Sequence, residues 1–554
     1  MDLSKTLTID EIKLFLQHNK FIFQSSEMYQ SHETSTKGFH TYGPNGLKVK
    51  NKIIEIWRQI FFDNNIFEID TPVITAYKIL ENSGHVKKFN DFVAYNIYDK
   101  SIKFRADHLV KAFLPDDQKG MVENMSKNEL EQIIKDNNLI QSKTKDEIVV
   151  EPMNLMFMVD GGFLRPEIAQ GIFTEFPTFY SELEYLPFGL GQVGKSYRNE
   201  ISPQPFVRLR EFTQAEIEYF YNPTNSYHPK FDNVKNLVVP LLTQQMQLDN
   251  ISTPIHIKLA DTYSSKIINN QIMAYFLGKI YLFAIQIGLD LTKIRFREHM
   301  PNEKAHYANQ CYDLETLIDG NWLECIGCAD RGNYDLTVHN IKGSNEIVTS
   351  SYSVAKYKII FDKNVPQDTV RNCHKYLKTY VQDETSKKEI EDAVKDLVSL
   401  YGITNEMYVI KEYTEQKYNK IIPYVIEPSI GIDRIIFSVF SHCLKKRSTE
   451  SRIVFDNNVL NLHNIAVFQL SNDDRLIQYT KNLVEQINKQ NLFVDYSSTS
   501  IGKRYVRADQ LGIQYCVTVD FTTLQDDTVT VRYRNDGNQT RIHIKDLNSF
   551  IKIE

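Results

Sequence analysis

SYRNEISPQPFVRLREFTQAEIEYF, residues 196–220, raises the first structural question in this chain. Read with a period of two, it splits into two strands around a Pro-containing loop. Arg198 and Glu200 fall on one face of the first strand, and Arg208, Arg210 and Phe212 on one face of the second. Such a hairpin offers a cation, a carboxylate and an aromatic ring to whatever lies against it. An Arg-x-Glu triplet alone arises about twice by chance at average residue usage in a chain of this length, so the weight rests on the surrounding sequence.

At 554 residues the chain is too long for one small core, and two to four domains are expected. Hydrophobic residues at 42% and charged residues at 24% are those of an ordinary soluble protein. A formal net charge of −6 excludes a globally polycationic nucleic-acid binder but leaves room for a local basic patch. The most apolar run, IYLFAIQIGL at 280–289, is too short to span a bilayer, and no leader pattern opens the sequence. A cytoplasmic protein without membrane contact is expected. Six cysteines do not make a disulfide framework in a chain of this size. Cys325 and Cys328 form a CxxC without a second pair at zinc-site spacing, and read as ordinary buried thiols.

A capping box at Thr8 and Glu11 opens a helix with Ile12, Phe15 and Leu16 on one face. LKVKNKIIEIWRQIFF, 47–62, has helical period, and IFEIDTPVIT, 66–75, alternates like a strand. Residues 114–150, lysine-rich with a capping box at Ser126 and Glu129, read as a helical insertion. Residues 340–422 read as another, in which Ile390, Val394, Leu397 and Tyr401 keep helical spacing and Gly402 stops the helix. From 464 onward NIAVFQL, 472–490, LFVDY, 502–511 and QYCVTVDF alternate strand and helix. This predicts a small α/β domain with crossover connections, joined near 443–462.

Other stretches carry reactive groups: Arg165 and Glu167 in FLRPEIAQGIF, Glu324 and Arg331 in WLECIGCADRGNYDL, and Glu427, Ser429 and Arg434 in YVIEPSIGIDRIIFSVF. RNE, a loop, REF, and far downstream EPSIGIDR before an apolar helix resemble motifs 2 and 3 of the class II aminoacyl-tRNA synthetases. FRADHL (104–109), NLMF (154–157), RPEIAQGIF (165–173), FREHMPNEKAHYA (296–308) and ECIGCADR (324–331) are similar to the glycyl-tRNA synthetases of the dimeric eukaryotic and archaeal kind. The resemblance runs in family order from about residue 20 to 545.

This resemblance implies a class II catalytic domain over 1–455, an α+β fold with an antiparallel sheet flanked by helices and with the two insertions. A C-terminal α/β anticodon-binding domain over 460–554 would follow. The implied activity is glycine–tRNA ligation: glycine and ATP, with Mg2+, form glycyl-adenylate, and the glycyl group passes to the 3' end of tRNA(Gly). Attack of a carboxylate on the α-phosphate brings two anions together, a task suited to arginine. By position, Arg198 lies on the α-phosphate, Arg208 at the bent triphosphate and Arg434 at the γ-phosphate and base; Arg198, Glu200 and Arg434 form the implied catalytic set. Phe212 stacks on adenine, Glu200 accepts from its amino group, and Glu324 binds the magnesium. Asn199, Leu209 and Cys325 complete the implied nucleotide contacts. Glu167, Glu216 and Glu427 surround the glycine ammonium, with Pro428 and Ser429 beside it so that an added methyl clashes at the Cα side. Clustered carboxylates repel one another and raise at least one pKa.

SIGKRYVRADQLGIQYCVTVDF resembles the anticodon-binding domain shared by the glycyl, histidyl, prolyl and threonyl enzymes, with Lys503, Arg504 and Arg507 beside Tyr505 as the implied RNA contacts. A homodimer through residues 46–75 is implied as well. The sequence departs from the pattern in three places: ISPQPF is about one residue short of the family's loop, NVLNLHNIAV replaces a proline-rich entry to the last domain, and Asp433 directly precedes the motif 3 arginine. One alternative is a catalytically inactive synthetase-like accessory subunit that binds nucleic acid, but such decay strips motifs 2 and 3, whose Arg198, Glu200, Phe212 and Arg434 are present. A prolyl or threonyl enzyme is another; the zinc ligand set of the threonyl enzyme is missing. Diadenosine tetraphosphate synthesis would follow from the same adenylate.

Overall fold

The computed structural model describes residues 7–29, 37–115, 118–301, 303, 308–380, 387–446, 453–457, 459–460, 462–463, 465–487 and 492–550. Parts of the FREHMPNEKAHYA stretch, of the expected helix over 472–490 and of the expected join at 443–462 lie outside these residues.

A nine-stranded sheet is built from strands lying between residues 66 and 431. In chain order its strands are β1 (Ile66–Glu68), β2 (Phe188–Tyr197), β3 (Glu211–Tyr221), β4 (Val238–Leu242), β5 (Ile255–Lys258), β6 (Ile294–Glu298), β7 (Gln310–Ile318), β8 (Asn321–Gly332) and β9 (Tyr424–Gly431). Their spatial order is β5-β4-β6-β7-β8-β9-β3-β2-β1. Neighbours are antiparallel except β1 with β2 and β4 with β6. The expected strand over 66–75 is in fact two, β1 and Ile74–Ala76, which join different sheets.

Period-two alternation divides the sheet into two faces. Ala215, Ile217 and Tyr219 of β3, Tyr312 and Leu314 of β7, Ile326 and Cys328 of β8, and Ile426 and Ile430 of β9 enter one core. Helices α1 (Pro44–Phe61), α3 (Gln271–Gln286) and α4 (Ile432–Cys443) supply its other half through residues such as Val49, Trp57, Phe276, Ile435 and Phe440. Each such fully buried side chain contributes about 1.5–3 kcal/mol relative to exposure. Pro44 begins α1 where a missing N–H costs nothing. The opposite residues of the same strands are left for the site.

Around this sheet, residues 90–154 build a small core of their own. The strands Asn90–Asn96, Asp99–Arg105 and Ile148–Asn154 pack on the helices Ala106–Phe113 and Lys127–Asp136 through Ala94, Val110, Leu130, Ile134 and Val150. Both expected capping boxes form, at Thr8/Glu11 and Ser126/Glu129. Asn340–Pro423 is a second compact unit. In it the antiparallel strands Ile347–Phe361 and Tyr408–Ile421 accompany the helices Gln367–Tyr380 and Lys387–Tyr401, whose Cys373, Leu377, Ile390, Val394 and Leu397 share one core. Gly402, at φ +65°, follows the second helix, where a residue with a side chain would be strained.

The C-terminal region is an α/β sheet of five strands, β10 (Ile465–Gln469), β11 (Leu492–Val494), β12 (Tyr515–Val519), β13 (Thr528–Tyr533) and β14 (Gln539–His543), in the order β11-β10-β12-β13-β14. Its first three are mutually parallel and the last two antiparallel. Buried Arg534 donates to the Phe455 and Gly512 carbonyls at 3.3 and 2.8 Å and pairs with Asp456 at 3.0 Å, fastening this sheet to the segment that precedes it. No helix among the described residues is long and apolar enough to cross a membrane.

Candidate active site

β2 and β3 pair from Phe188/Phe220 to Tyr197/Glu211, so Arg198, Glu200, Arg208 and Arg210 stand in the connecting loop and not on strands as the alternation suggested. Pro203 and Pro205 supply no N–H for a ladder, and the loop has ties of its own. Arg198 N donates to the Arg210 carbonyl at 2.9 Å, Gln204 and Arg208 exchange backbone bonds at 2.8 and 3.0 Å, and the Arg210 guanidinium donates twice to the Glu200 carbonyl at 3.1 and 3.0 Å. Phe206, at φ +66°, stacks on Phe437 of α4 with centroids 5.2 Å apart. Gly38 receives the Arg210 N–H at 2.8 Å, and a Cβ there would sit 2.9 Å from Pro203 Cβ.

Four strands lay their cavity-facing residues out in rows. Asp313 (β7), Gly327 (β8), Ser429 (β9) and Glu216 (β3) are successive partners; Cys311, Ala329 and Glu427 form the next row, which Glu218 continues on β3. Gly327 and Ala329 keep the floor low. Above it lies a cavity of about 480 Å³, lined also by Glu167, Arg198, Glu200, Arg208, Leu209, Phe212, Glu324 and Arg434. Its size suits a small-molecule substrate.

One end is acidic. Glu216 accepts from Ser429 Oγ at 2.6 Å, Gln214 Nε2 at 2.7 Å and, at the N-terminus of helix α2 (Ala169–Leu183), Ile168 N at 3.1 Å. Burial, then the charges of Glu427 and Glu167, nevertheless push its carboxyl up to about 8. Glu167 goes the other way: burial opposes ionisation, but His85 at 3.4 Å, Arg331 and a 3.0 Å bond from Gln170 hold it below the ordinary range. Glu427 is raised by burial in spite of its ion pair with Arg331, which also forks onto Asp335 at 2.8 and 2.9 Å. Such a spread assigns protons unequally among neighbouring carboxyls, leaving the pocket ready to exchange a proton for a bound cation. Behind it, Glu218 is fully buried, neither of its oxygens has a hydrogen-bond partner among the described residues, and burial followed by Glu427 raises it strongly.

The other end is cationic and aromatic. Arg198 lies over the rings of Phe89 and Phe212, 5.3 Å from each centroid, and donates to the Pro166 carbonyl at 3.1 Å. Arg208 meets His108 at 3.3 Å. Burial raises the Glu200 carboxyl against the pull of Arg208 and Arg198. Arg434 donates to the Val207 carbonyl at 2.9 Å and the Glu324 carbonyl at 2.8 Å, with the Glu324 carboxylate 3.7 Å away. The unusual Asp433 before it accepts from Tyr42 and, at 2.5 Å, from Thr213 N, tying the start of α4 to β3. It is a positioning group.

Not every expected residue reaches the cavity. Asn199 is committed through its N–H to the Leu155 carbonyl at 2.6 Å, and Pro428 alternates onto the helix side of β9. The register shifts between Leu314 and Glu315 of β7, opposite Cys325 of β8, and this puts Glu324 opposite Glu315; Cys325 does line the cavity, but its thiol is engaged with Thr316 and Ser438 at 3.4 and 3.3 Å. In the last domain Arg504 is 1% exposed, donating to the Thr499 carbonyl at 3.1 Å and packed over Phe468, which corrects its expected role as an RNA contact. Lys503 is exposed, and Arg507 is half-exposed and paired with Asp495 at 2.8 Å. Sequence reasoning assigned no role to Arg331, Asp335, His85, Glu218, His299 or Asp313; the spacing of Arg331 and Asp335 by one helical turn was the available signal.

Residues 464–554 match the family model described as an anticodon binding domain. The chain is 37% identical to a protein of Methanocaldococcus jannaschii named glycine–tRNA ligase, over 96% of this chain and 96% of that one. It is 34% identical to glycine–tRNA ligase 2 of Saccharomyces cerevisiae, over 98% and 95%. A prolyl-tRNA synthetase from Cryptosporidium parvum, solved with L-proline and AMP, shares its fold at a TM-score of 0.51 and 11% identity, over 99% of this chain and 76% of that one. On the full-length identity, the chain belongs to the glycine–tRNA ligase family.

Proposed function

We propose that this cavity joins glycine to ATP and delivers the glycyl group to the 3' end of tRNA(Gly). The observation that carries the reading is the acid-walled hollow of Glu167, Glu216 and Glu427, closed by Ser429 and opening directly onto Arg198, Arg208 and Arg434. The glycine ammonium takes the place of protons held by the cluster, and an added methyl meets Ser429. Phe212 stacks on the base and Glu200 accepts from its amino group. Arg198 and Arg208 offset phosphate charge while a glycine carboxylate oxygen attacks the α-phosphorus and pyrophosphate leaves; Arg434 holds the far phosphate. The terminal ribose hydroxyl of the tRNA then attacks the adenylate carbonyl, and AMP departs.

Magnesium fits at Glu324. Its carboxylate is open to the cavity, and the buried Asp313 next to it is pushed up to about 6 by burial and, against the His299 hydrogen bond, by Glu324 itself, a pairing that a divalent cation relieves. When bound, the ion neutralises phosphate charge. Lys503 and Arg507 are the RNA contacts we retain. Two copies pair through the region 46–75, where Val73 and Ile74 leave 36% and 55% of their surface exposed. The cytoplasm is the compartment of this reading. The four residues whose loss would mark an inactive accessory subunit, Arg198, Glu200, Phe212 and Arg434, all line the cavity. Charging of purified tRNA(Gly) with labelled glycine tests the proposal: glycyl-tRNA is expected, and folded protein that charges none refutes it.

A further inference from the structure

One wall of the cavity is used by neither the acid cluster nor the arginines. His299 follows β6, and its N–H donates to the Cys311 carbonyl on β7 at 3.0 Å, so the two residues face each other across neighbouring strands. Asp313 stands two positions along β7, on the same face as Cys311. One donor atom from each of the three lies within 4.8 Å of those of the other two, and all three line the cavity. His299 Nε2 and Asp313 Oδ2 are 2.5 Å apart, while buried His299 Nδ1 has no hydrogen-bond partner among the described residues. The neighbouring guanidinium of Arg297, 4.0 Å from Asp313, is already matched by Glu315 at 3.0 Å and Glu303 at 2.7 Å.

An imidazole, a thiol and a carboxylate offer nitrogen, sulfur and oxygen. Magnesium takes oxygen ligands and has little use for the first two. Zinc(II) and related borderline ions are bound by this mixture, and three protein ligands leave a fourth position open. We propose that His299, Cys311 and Asp313 form a site for a borderline divalent transition ion of the zinc(II) class, open to the cavity and distinct in donor chemistry from the magnesium position at Glu324. On coordination the Cys311 thiol loses its proton to solvent, and the ion replaces the hydrogen bond between His299 and Asp313. The proposal stands on these three residues and does not rest on the ligase reading.

Cobalt(II), titrated into metal-stripped full-length protein without ATP or glycine, tests it. One equivalent is expected to bind with a thiolate-to-cobalt charge-transfer band, and a millimolar excess of magnesium is expected to leave that band in place. Cys311→Ser is expected to abolish the band. His299→Gln is expected to keep it at high cobalt while weakening affinity about 100-fold or more; it also serves if thermal unfolding shows that Cys311→Ser does not fold. The proposal is overturned if native protein shows no thiolate band, if the band persists in folded Cys311→Ser, if His299→Gln binds cobalt as native protein does, or if magnesium bleaches the band at equal concentration. Failure to charge glycine in a separate assay bears on the ligase reading alone.

Discussion

Ser429 Oγ donates to Glu216 Oε1 at 2.6 Å across the junction of β9 and β3, linking the residue that limits substrate bulk to the most crowded of the acids. Removing that donor by Ser429→Ala forfeits a hydrogen bond to a carboxyl, worth about 1.5–3 kcal/mol if ionised, or roughly 10- to 100-fold. Ser429→Ala and Glu216→Gln are therefore expected to raise the glycine requirement by that order while moving the ATP requirement little. Pyrophosphate exchange measured against each substrate separates the two; equal effects on both count against the pocket.

Glu216 also sets a pH dependence. Burial and then the charges of Glu427 and Glu167 push its carboxyl from an ordinary 4.5 up to about 8 in the folded protein. A raised carboxyl contributes stability fully present below the lower value and lost as pH rises through the higher one, at up to about 1.4 kcal/mol per pH unit. Between those two values the glycine-free native protein should lose thermal stability relative to Glu216→Gln. Parallel melting curves for the two proteins over that range would refute the assignment.

Glu218, buried beside Glu427 without a hydrogen-bond partner among the described residues, is expected to be neutral. A carboxamide matches a neutral carboxyl in shape and brings one further N–H donor, so Glu218→Gln should cost no more than about 1–3 kcal/mol of unfolding free energy and leave exchange kinetics intact. A loss above about 3 kcal/mol in urea unfolding would instead identify an ionised, paired group.

In the last domain two adjacent basic residues should behave oppositely. Arg504→Ala uncovers Phe468 and leaves the Thr499 carbonyl without its donor, and should lower stability by about 1–3 kcal/mol. Lys503→Ala should leave the melting temperature unchanged, weaken tRNA binding and make its salt dependence shallower. Unfolding curves and filter-binding titrations at several salt concentrations distinguish them, and a stable Arg504→Ala with weakened RNA binding would make Arg504 an RNA contact after all.

The catalytic region was legible where reactive residues alternate with core residues on short strands: Glu216 between Ala215 and Ile217, or Ser429 before Ile430, announce both a face and a chemistry. The loop from Arg198 to Arg210 defeated the same rule, because alternation continues in the letters after the prolines have ended the ladder. Arg504 and Lys503 are indistinguishable on a helix until Phe468 and the Thr499 carbonyl are placed over one of them. Glu218 looks like any strand carboxylate, and His299 with Cys311 and Asp313 is a meeting of two strands that no local spacing encodes. CxxC, the spacing that does suggest a metal, holds Cys325 and Cys328, which the fold places in the hydrophobic core.

ATP–pyrophosphate exchange by the purified protein, run with each of the twenty amino acids in turn, tests the central claim most directly. Exchange is expected with glycine, weakly if at all with alanine, and not with the others, and it should collapse in Arg198→Ala. Exchange that is absent with glycine, or that is driven better by proline or threonine, would contradict the account.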